Sequence, residues 1–184
     1  IFNMRSKTAK LSDLENKKIR VFAAAVQMEQ IRKMKATPVP MPLGEVLPAL
    51  QQGTIDGVMS VLPVLTALRY YDAAKYILES EQAMVSVVTV LSKIWYDKLP
   101  KELQAVIDDA GQKASIEVFP WAVDFIAKQR QVWQANGGEI TRLSPDEQKQ
   151  MSEMLLPIGA QVAAGKPDQA AIYDLLRQSA QKMA

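Results

Sequence analysis

The sequence predicts an α/β fold with a mostly parallel sheet, a long kinked helix and a helical C-terminus. Three observations predict it. Between Lys18 and Met59, strand-like and helix-like stretches alternate in short steps, the pattern of helices crossing between parallel strands. The run Ala83–Leu91 is rich in β-branched residues and apolar on both faces, which suits a strand inside a sheet. From Lys98 to about Asn136 the pattern stays helical, far beyond the usual three or four turns, and Pro120 sets the expected kink.

The elements follow in order. Residues 1–10 are basic and read as irregular. Leu11–Glu15 reads as a helical turn capped by Ser12, with Glu15 completing a capping box and Asn16 ending the turn in a left-handed conformation. Lys18–Ala24, carrying Ile, Val and Phe, is a strand. Val26–Met34 is a helix, because Met28, Ile31 and Met34 recur at helical spacing. Ala36–Met41 is extended, its two prolines confining it to a sheet edge.

Gly44–Gln52 is a helix stopped by Gly53, with Pro48 tolerated only near its start. Thr54–Met59 is a buried strand broken at Asp56-Gly57, and Val61–Tyr71 is helical around Pro63. After the long helix, Asn136-Gly137-Gly138 makes a stop and Glu139–Leu143 a short strand. Ser144-Pro145-Asp146-Glu147 then opens a helix with a capping box, and Pro167–Met183 is the last helix. Three regions are expected: 1–82 as an α/β region, 83–125 as a crossing strand and the first part of the long helix, and 126–184 as a C-terminal strand and helices.

Composition narrows the chemistry. The chain of 184 residues is 48% hydrophobic and 23% charged, as in an ordinary globular protein able to bury a core. Its 22 basic and 20 acidic residues interleave, so no nucleic-acid patch is expected. No apolar run approaches the roughly 20 residues needed to cross a bilayer. Ile1 is not an initiator and no charged segment leads into an apolar one, so a processed or truncated product is expected. With 0 His and 0 Cys, the commonest general base, metal ligand and triad base are all missing, and no enzymatic role is expected.

Arg20 is the sharpest functional candidate. A lone arginine inside a strand is expensive to bury unless it meets an acid, which is either a protein carboxylate or a ligand anion. Position alone leaves that choice open and favours the protein partner. Asp56-Gly57 is a strand-end turn before it is a metal site, since one Asp is not a cation cage. Phe119, Trp121 and Phe125 read as core on the long helix, and the nine methionines as core filler. The glycines form no phosphate-binding motif, so no nucleotide site is indicated.

Taken together, the succession Asp13-Leu14, Lys18–Val21, Ala36–Met41, Glu45-Val46, Ala49–Gly53, Ile55-Asp56-Gly57, Lys75-Tyr76, Ser92-Lys93 and Leu99-Pro100 closely resembles the extracytoplasmic solute-binding proteins of tripartite ATP-independent periplasmic (TRAP) transporters. The order and spacing carry the resemblance from about residue 11 to residue 110, and it continues more weakly to the C-terminus. It implies a lobe like that of a periplasmic binding protein, a small carboxylate ligand, integral-membrane permease subunits as partners, and a periplasmic location. The strand arginine matching Arg20 makes the main salt bridge to the ligand, the bidentate recognition a guanidinium does best. Residues matching Phe22 and Ala23 follow at the cleft edge, the residue matching Leu43 packs on the ligand, and the one matching Ser60 hydrogen-bonds it.

Departures matter too. Glycine is usual where this chain has Asn16 and Lys35, so Lys35 needs a strained backbone or a shifted helix end. Leu43 and Ser60 replace the more usual Phe and Asn. Val58-Met59-Ser60 offers no acid, so neither metal nor cofactor is expected. Family members run to about 300 residues, and this chain matches them from roughly the start of their second lobe. Residues like 83–125 cross back there to complete the first lobe. A strand as apolar as Val85–Leu91 cannot stay an exposed edge, so pairing with another copy in a swapped homodimer is one expectation and a fragment is the other. The functional readings are therefore a receptor for a small organic acid, a truncated non-binding remnant or oligomerising module of the same fold, and an Asp/Glu enzyme.

Overall fold

The computed structural model describes residues 1–83 and 88–183. Six strands, β1 (Phe2–Met4), β2 (Lys18–Val21), β3 (Thr37–Pro40), β4 (Gly57–Met59), β5 (Tyr76–Glu79) and β6 (Glu139–Arg142), form one sheet in the order β3-β2-β4-β1-β5-β6. The β2–β3, β2–β4 and β5–β6 pairs are parallel, and β1 lies antiparallel between β4 and β5. The carboxyl ends of β2 to β6 therefore share one edge of the sheet with the amino end of β1.

Helices α1 (Ala25–Lys33), α2 (Leu43–Gln52) and α3 (Leu62–Ala67) follow β2, β3 and β4, and α4 (Lys93–Tyr96) precedes the 35-residue α5 (Lys101–Ala135). Helices α6 (Pro145–Leu155), α7 (Ile158–Ala163) and α8 (Pro167–Met183) close the chain. Each face of the sheet has its own apolar layer. Ile19 and Val21 pack on one side with Leu14, Ile31 and Met151. Val58, Val46, Leu50, Leu65, Tyr70 and Trp133 fill the other. Side chains alternate along a strand, so Arg20, between Ile19 and Val21, is sent into the second layer.

Several sequence expectations change. Residues 1–10 are not irregular: Phe2–Met4 is the inner strand β1, fully buried, and Asn3 Nδ2 donates to the carbonyls of Ala74 (2.8 Å) and Tyr76 (3.2 Å). The turn at Leu11–Leu14 is capped from Lys10, and Asp13 Oδ2 accepts the N–H groups of Ala9 and Lys10, in place of Ser12 and Glu15. Strand β2 stops at Val21, three residues before the expected end. Pro48 sits sixth in α2, inside the helix; the donor it removes would have faced the carbonyl of the exposed Gly44, which water can satisfy. The backbone at Lys35 is left-handed (φ 57°), as is that at Asn16 (φ 61°), so Lys35 takes the strained conformation expected of it.

Helix α5 runs without interruption through Pro120. Its C-terminal part is tied to the lobe: Thr66 Oγ1 donates to Gln129 Oε1 (2.6 Å), and Trp133 is fully buried. Phe119 and Trp121, expected in the core, are instead 72% and 59% exposed, with Trp121 stacked on Phe125 at 4.8 Å. Of the predicted strand Ala83–Leu91, residues 84–87 lie outside the described residues. Residues 88–91 form no strand, and Val88, Val90 and Leu91 are exposed. No strand of this chain covers them among the described residues.

Gly57 shows why β4 tolerates no side chain at its first position. A Cβ there would stand 2.7 Å from the Asn3 carbonyl oxygen and 2.2 Å from Met4 Sδ. Gly57→Ala is expected to destabilise the fold by about 1–3 kcal/mol, the usual cost of overpacking, read as a lower urea midpoint with an unchanged m-value.

Candidate functional site

Ligands of open α/β sheets bind beyond the carboxyl ends of the strands, where helix amino termini also point. Helices α1 and α2 begin at that edge here, and neither has a side-chain cap hydrogen bond or the N-cap residue that would provide one. Their first N–H groups are left to other acceptors.

Arg20 lies one residue inside this edge and is fully buried. Its Nε and Nη2 both donate to the Met41 carbonyl, at 2.9 and 2.7 Å, and its Nη1 has no hydrogen-bond partner among the described residues. No acidic side chain forms an ion pair with it among the described residues. The Phe22 ring lies over the guanidinium, its centroid 4.3 Å from Cζ. Burial pushes the Arg20 guanidinium below its ordinary pKa, opposed only by Tyr70, and burial raises the Tyr70 phenol. The core-ion-pair outcome favoured by position alone is therefore absent among the described residues.

The other sequence-predicted residues fall on the same edge. Phe22 is 47% exposed and Ala23 is exposed, both in the link between β2 and α1. Leu43 opens α2 and is half-buried; its carbonyl accepts the Tyr70 hydroxyl proton at 3.2 Å. Ser60 follows β4, half-buried, with its N–H donated to the Ile1 carbonyl at 3.1 Å. The Met41 carbonyl and Tyr70 were not foreseen as part of the site. The one sequence signal for Met41 is its place between Pro40 and Pro42, which stiffen the backbone where β3 ends beside β2.

A second charged cluster stands where the chain leaves β5. Glu79 is 6% exposed and pairs with Arg142 (Nε to Oε2, 2.7 Å) and with Arg130 of α5. Burial pushes the Glu79 carboxyl up, but hydrogen bonds from Arg130 and Arg142 and their charges outweigh it, leaving it below the ordinary 4.5. The unfolded chain thus takes up this proton more readily than the folded one. The stabilisation is present above about pH 4.5 and is lost as pH falls through the lower folded value. Glu79→Gln is expected to cost about 1–3 kcal/mol at neutral pH, less than a fully buried pair because both arginines are partly solvated. It should also flatten the acid limb of a stability-against-pH curve measured by urea unfolding.

Among the described residues no cluster of acidic side chains could hold a metal ion, and no helix is long and apolar enough to cross a membrane.

Comparison with known proteins gives the family and the fold. The family profile DctP, described as bacterial extracellular solute-binding protein, family 7, matches residues 1–166. The C4-dicarboxylate-binding periplasmic protein DctP of Shewanella loihica is 26% identical over 150 residues, covering 81% of this chain and 45% of that protein. A TRAP periplasmic solute-binding protein from Desulfovibrio salexigens, solved with bound orotic acid, superposes with a TM-score of 0.88 at 22% identity, over 97% of this chain and 58% of that one. Another, from Xanthobacter autotrophicus with bound β-D-galacturonate, gives 0.83 at 25% identity, over 94% and 57%. The chain spans about a third to a half of the length of the curated relatives it matches. With the family profile running through most of its residues, the chain belongs to the DctP family of TRAP solute-binding proteins, bacterial extracellular solute-binding protein family 7.

Proposed function

We propose that this chain carries the carboxylate-gripping part of a periplasmic receptor that captures a small organic acid and delivers it to a membrane permease without chemical change. The observation that carries the reading is the buried Arg20 guanidinium, with Nη1 unpartnered and no protein acid beside it among the described residues. Arg20 takes the ligand's carboxylate; Phe22, Ala23, Leu43 and Ser60 line its approach. The bound orotic acid and galacturonate of the neighbouring structures are both carboxylates, and so are the ligands named for the Shewanella loihica protein, which supports the assignment.

Segment 83–125 is proposed to cross over and complete the first lobe of the receptor, which fits the exposed apolar residues of α5. A swapped homodimer through Val85–Leu91 has in its favour the exposure of Val88, Val90 and Leu91. Light scattering tests the swap: a dimer that persists on dilution is expected from it, and a well-folded monomer contradicts it.

The binding reading is tested by thermal shift and calorimetry with D-galacturonate, orotate and succinate. An acid at 100 times its dissociation constant should stabilise the chain by about 2.7 kcal/mol. Absence of a shift with any of these and with a wider carboxylate panel would contradict the reading.

A further inference from the structure

Arg20 poses an access problem that its role as an anchor does not answer. The guanidinium is fully buried, and three parts of it are occupied or closed. The edge formed by Nε and Nη2 is held by the Met41 carbonyl. One flat face lies against the Phe22 ring. The remaining Nη1 has no partner and is shut off from solvent.

Of the groups named around it, Met41 belongs to a backbone stiffened by Pro40 and Pro42, and Tyr70 is buried with its hydroxyl bonded to Leu43. Phe22 differs from both. The residue is 47% exposed, it follows the last residue of β2, and it belongs to neither apolar layer of the sheet. Its backbone is anchored through the N–H donated to Gln27 Oε1 at 3.0 Å, which leaves the side chain to turn about its own bonds. A half-exposed ring gives up little buried area when it swings out, and exposed rotamers exchange rapidly. What it loses is the cation–π contact with the guanidinium.

We propose that Phe22 is a displaceable cover over Arg20, which an entering carboxylate must turn aside before it can pair with the Nη1 side of the guanidinium. The inference rests on the reading of Arg20 as the acid's anchor. Until an acid arrives, the ring shields a cation whose Nη1 has no partner among the described residues. Once the ring has moved, the guanidinium face it covered is open and an acid can reach the unpartnered Nη1 from that side, while Met41 keeps the guanidinium plane in place. Apparent affinity is then lowered by the fraction of molecules in which the cover is closed. Phe22 thus sets access and rate, and Arg20 sets chemistry.

Phenylglyoxal, which adds to the terminal nitrogens of arginine, tests the cover without needing the natural ligand. The whole chain is treated, digested and mapped by mass spectrometry, with the exposed Arg177 as reference. Arg20 should react much more slowly than Arg177 in the wild type. In Phe22→Ala it should react at least about tenfold faster, with Arg177 unchanged, whereas Phe22→Leu, which keeps an apolar cover, should stay close to wild type. Circular dichroism establishes that each variant is folded; if Phe22→Ala is not, Phe22→Val replaces it, and a rate between those of wild type and Arg177 is expected. Arg20 reacting as fast as Arg177 in the wild type, or no faster in the folded small-residue variant, overturns the proposal. D-galacturonate, orotate or succinate added to the opened variant should protect Arg20. A faster reaction with no protection by any of the three keeps the cover and removes the anchor reading.

Discussion

Arg20→Met is expected to make the free chain more stable and, in the same protein, to weaken acid binding by about 30-fold or more. The two effects have one cause. A fully buried guanidinium with an unpartnered Nη1 and no acid among the described residues has lost its hydration without full repayment. Methionine fills similar space with no charge to desolvate. Replacing buried ionic groups by apolar ones of like volume is often neutral or stabilising. Against that stands the Met41 carbonyl, which loses two donors but lies at a partly exposed residue that water can reach. The net gain expected is about 1–2 kcal/mol, visible as a higher melting temperature without ligand.

Binding should move the other way. Removing one partner of a charge-paired contact costs about 2–5 kcal/mol, a rise of about 30-fold or more in dissociation constant for galacturonate or succinate. Arg20→Lys keeps the charge but not the planar fork, and is expected to lose most of the affinity. An arginine serving only the core would give the opposite pair of results: lower stability on substitution and unchanged binding.

The largest loss of stability is expected at Trp133. Its side chain is fully buried in the layer with Tyr71, whose ring it meets edge-on at 5.8 Å, and Nε1 donates to the Lys75 carbonyl at 3.2 Å. The indole fits so closely that a Cβ on Gly138 would stand 2.2 Å from Nε1. Trp133→Ala removes that volume and leaves the Lys75 carbonyl one donor short. A cost of about 3–5 kcal/mol is expected from urea unfolding. Because Trp133 anchors the end of α5 next to Gln129 and Arg130, hydrogen exchange should quicken first in α3 and along α5. Trp133→Phe keeps most of the packing and should lose less than half as much.

The sequence reveals most where local chemistry and tertiary structure agree. Gly53 was readable as the left-handed end of α2, and Ser144 with Glu147 as the opening of α6, because each device is complete within four residues. Arg20 stood out as a charge in a strand, and its strand neighbours placed it. Strand β1 was hidden because three residues beside Arg5 and Lys7 carry too little pattern, and its identity comes from pairing with β4 and β5 far along the chain. Strand β5 was hidden by Lys75 and by Glu79, whose charge looks misplaced until Arg130 and Arg142 arrive from 51 and 63 residues later.

The run at Val88–Leu91 and the apolar residues of α5 misled for the converse reason. Their composition asks for a covering surface that this chain does not place on them among the described residues. Of the candidate site, only Arg20 is legible from local pattern. Phe22, Ala23, Leu43 and Ser60 come from the family resemblance and share its sheet edge. The Met41 carbonyl and Tyr70 depend on strand register and helix packing, which no local pattern encodes.

The claim that the Arg20 guanidinium awaits an external acid is tested most directly by watching its own protons. Arginine side-chain nitrogen–proton spectra, assigned with Arg20→Lys, would be followed during titration with D-galacturonate, orotate and succinate. The Arg20 Nη signals are expected to move and to exchange more slowly with water as one of these acids saturates, while Nε, already bonded to Met41, changes little. Saturable binding with every Arg20 signal unmoved would contradict it.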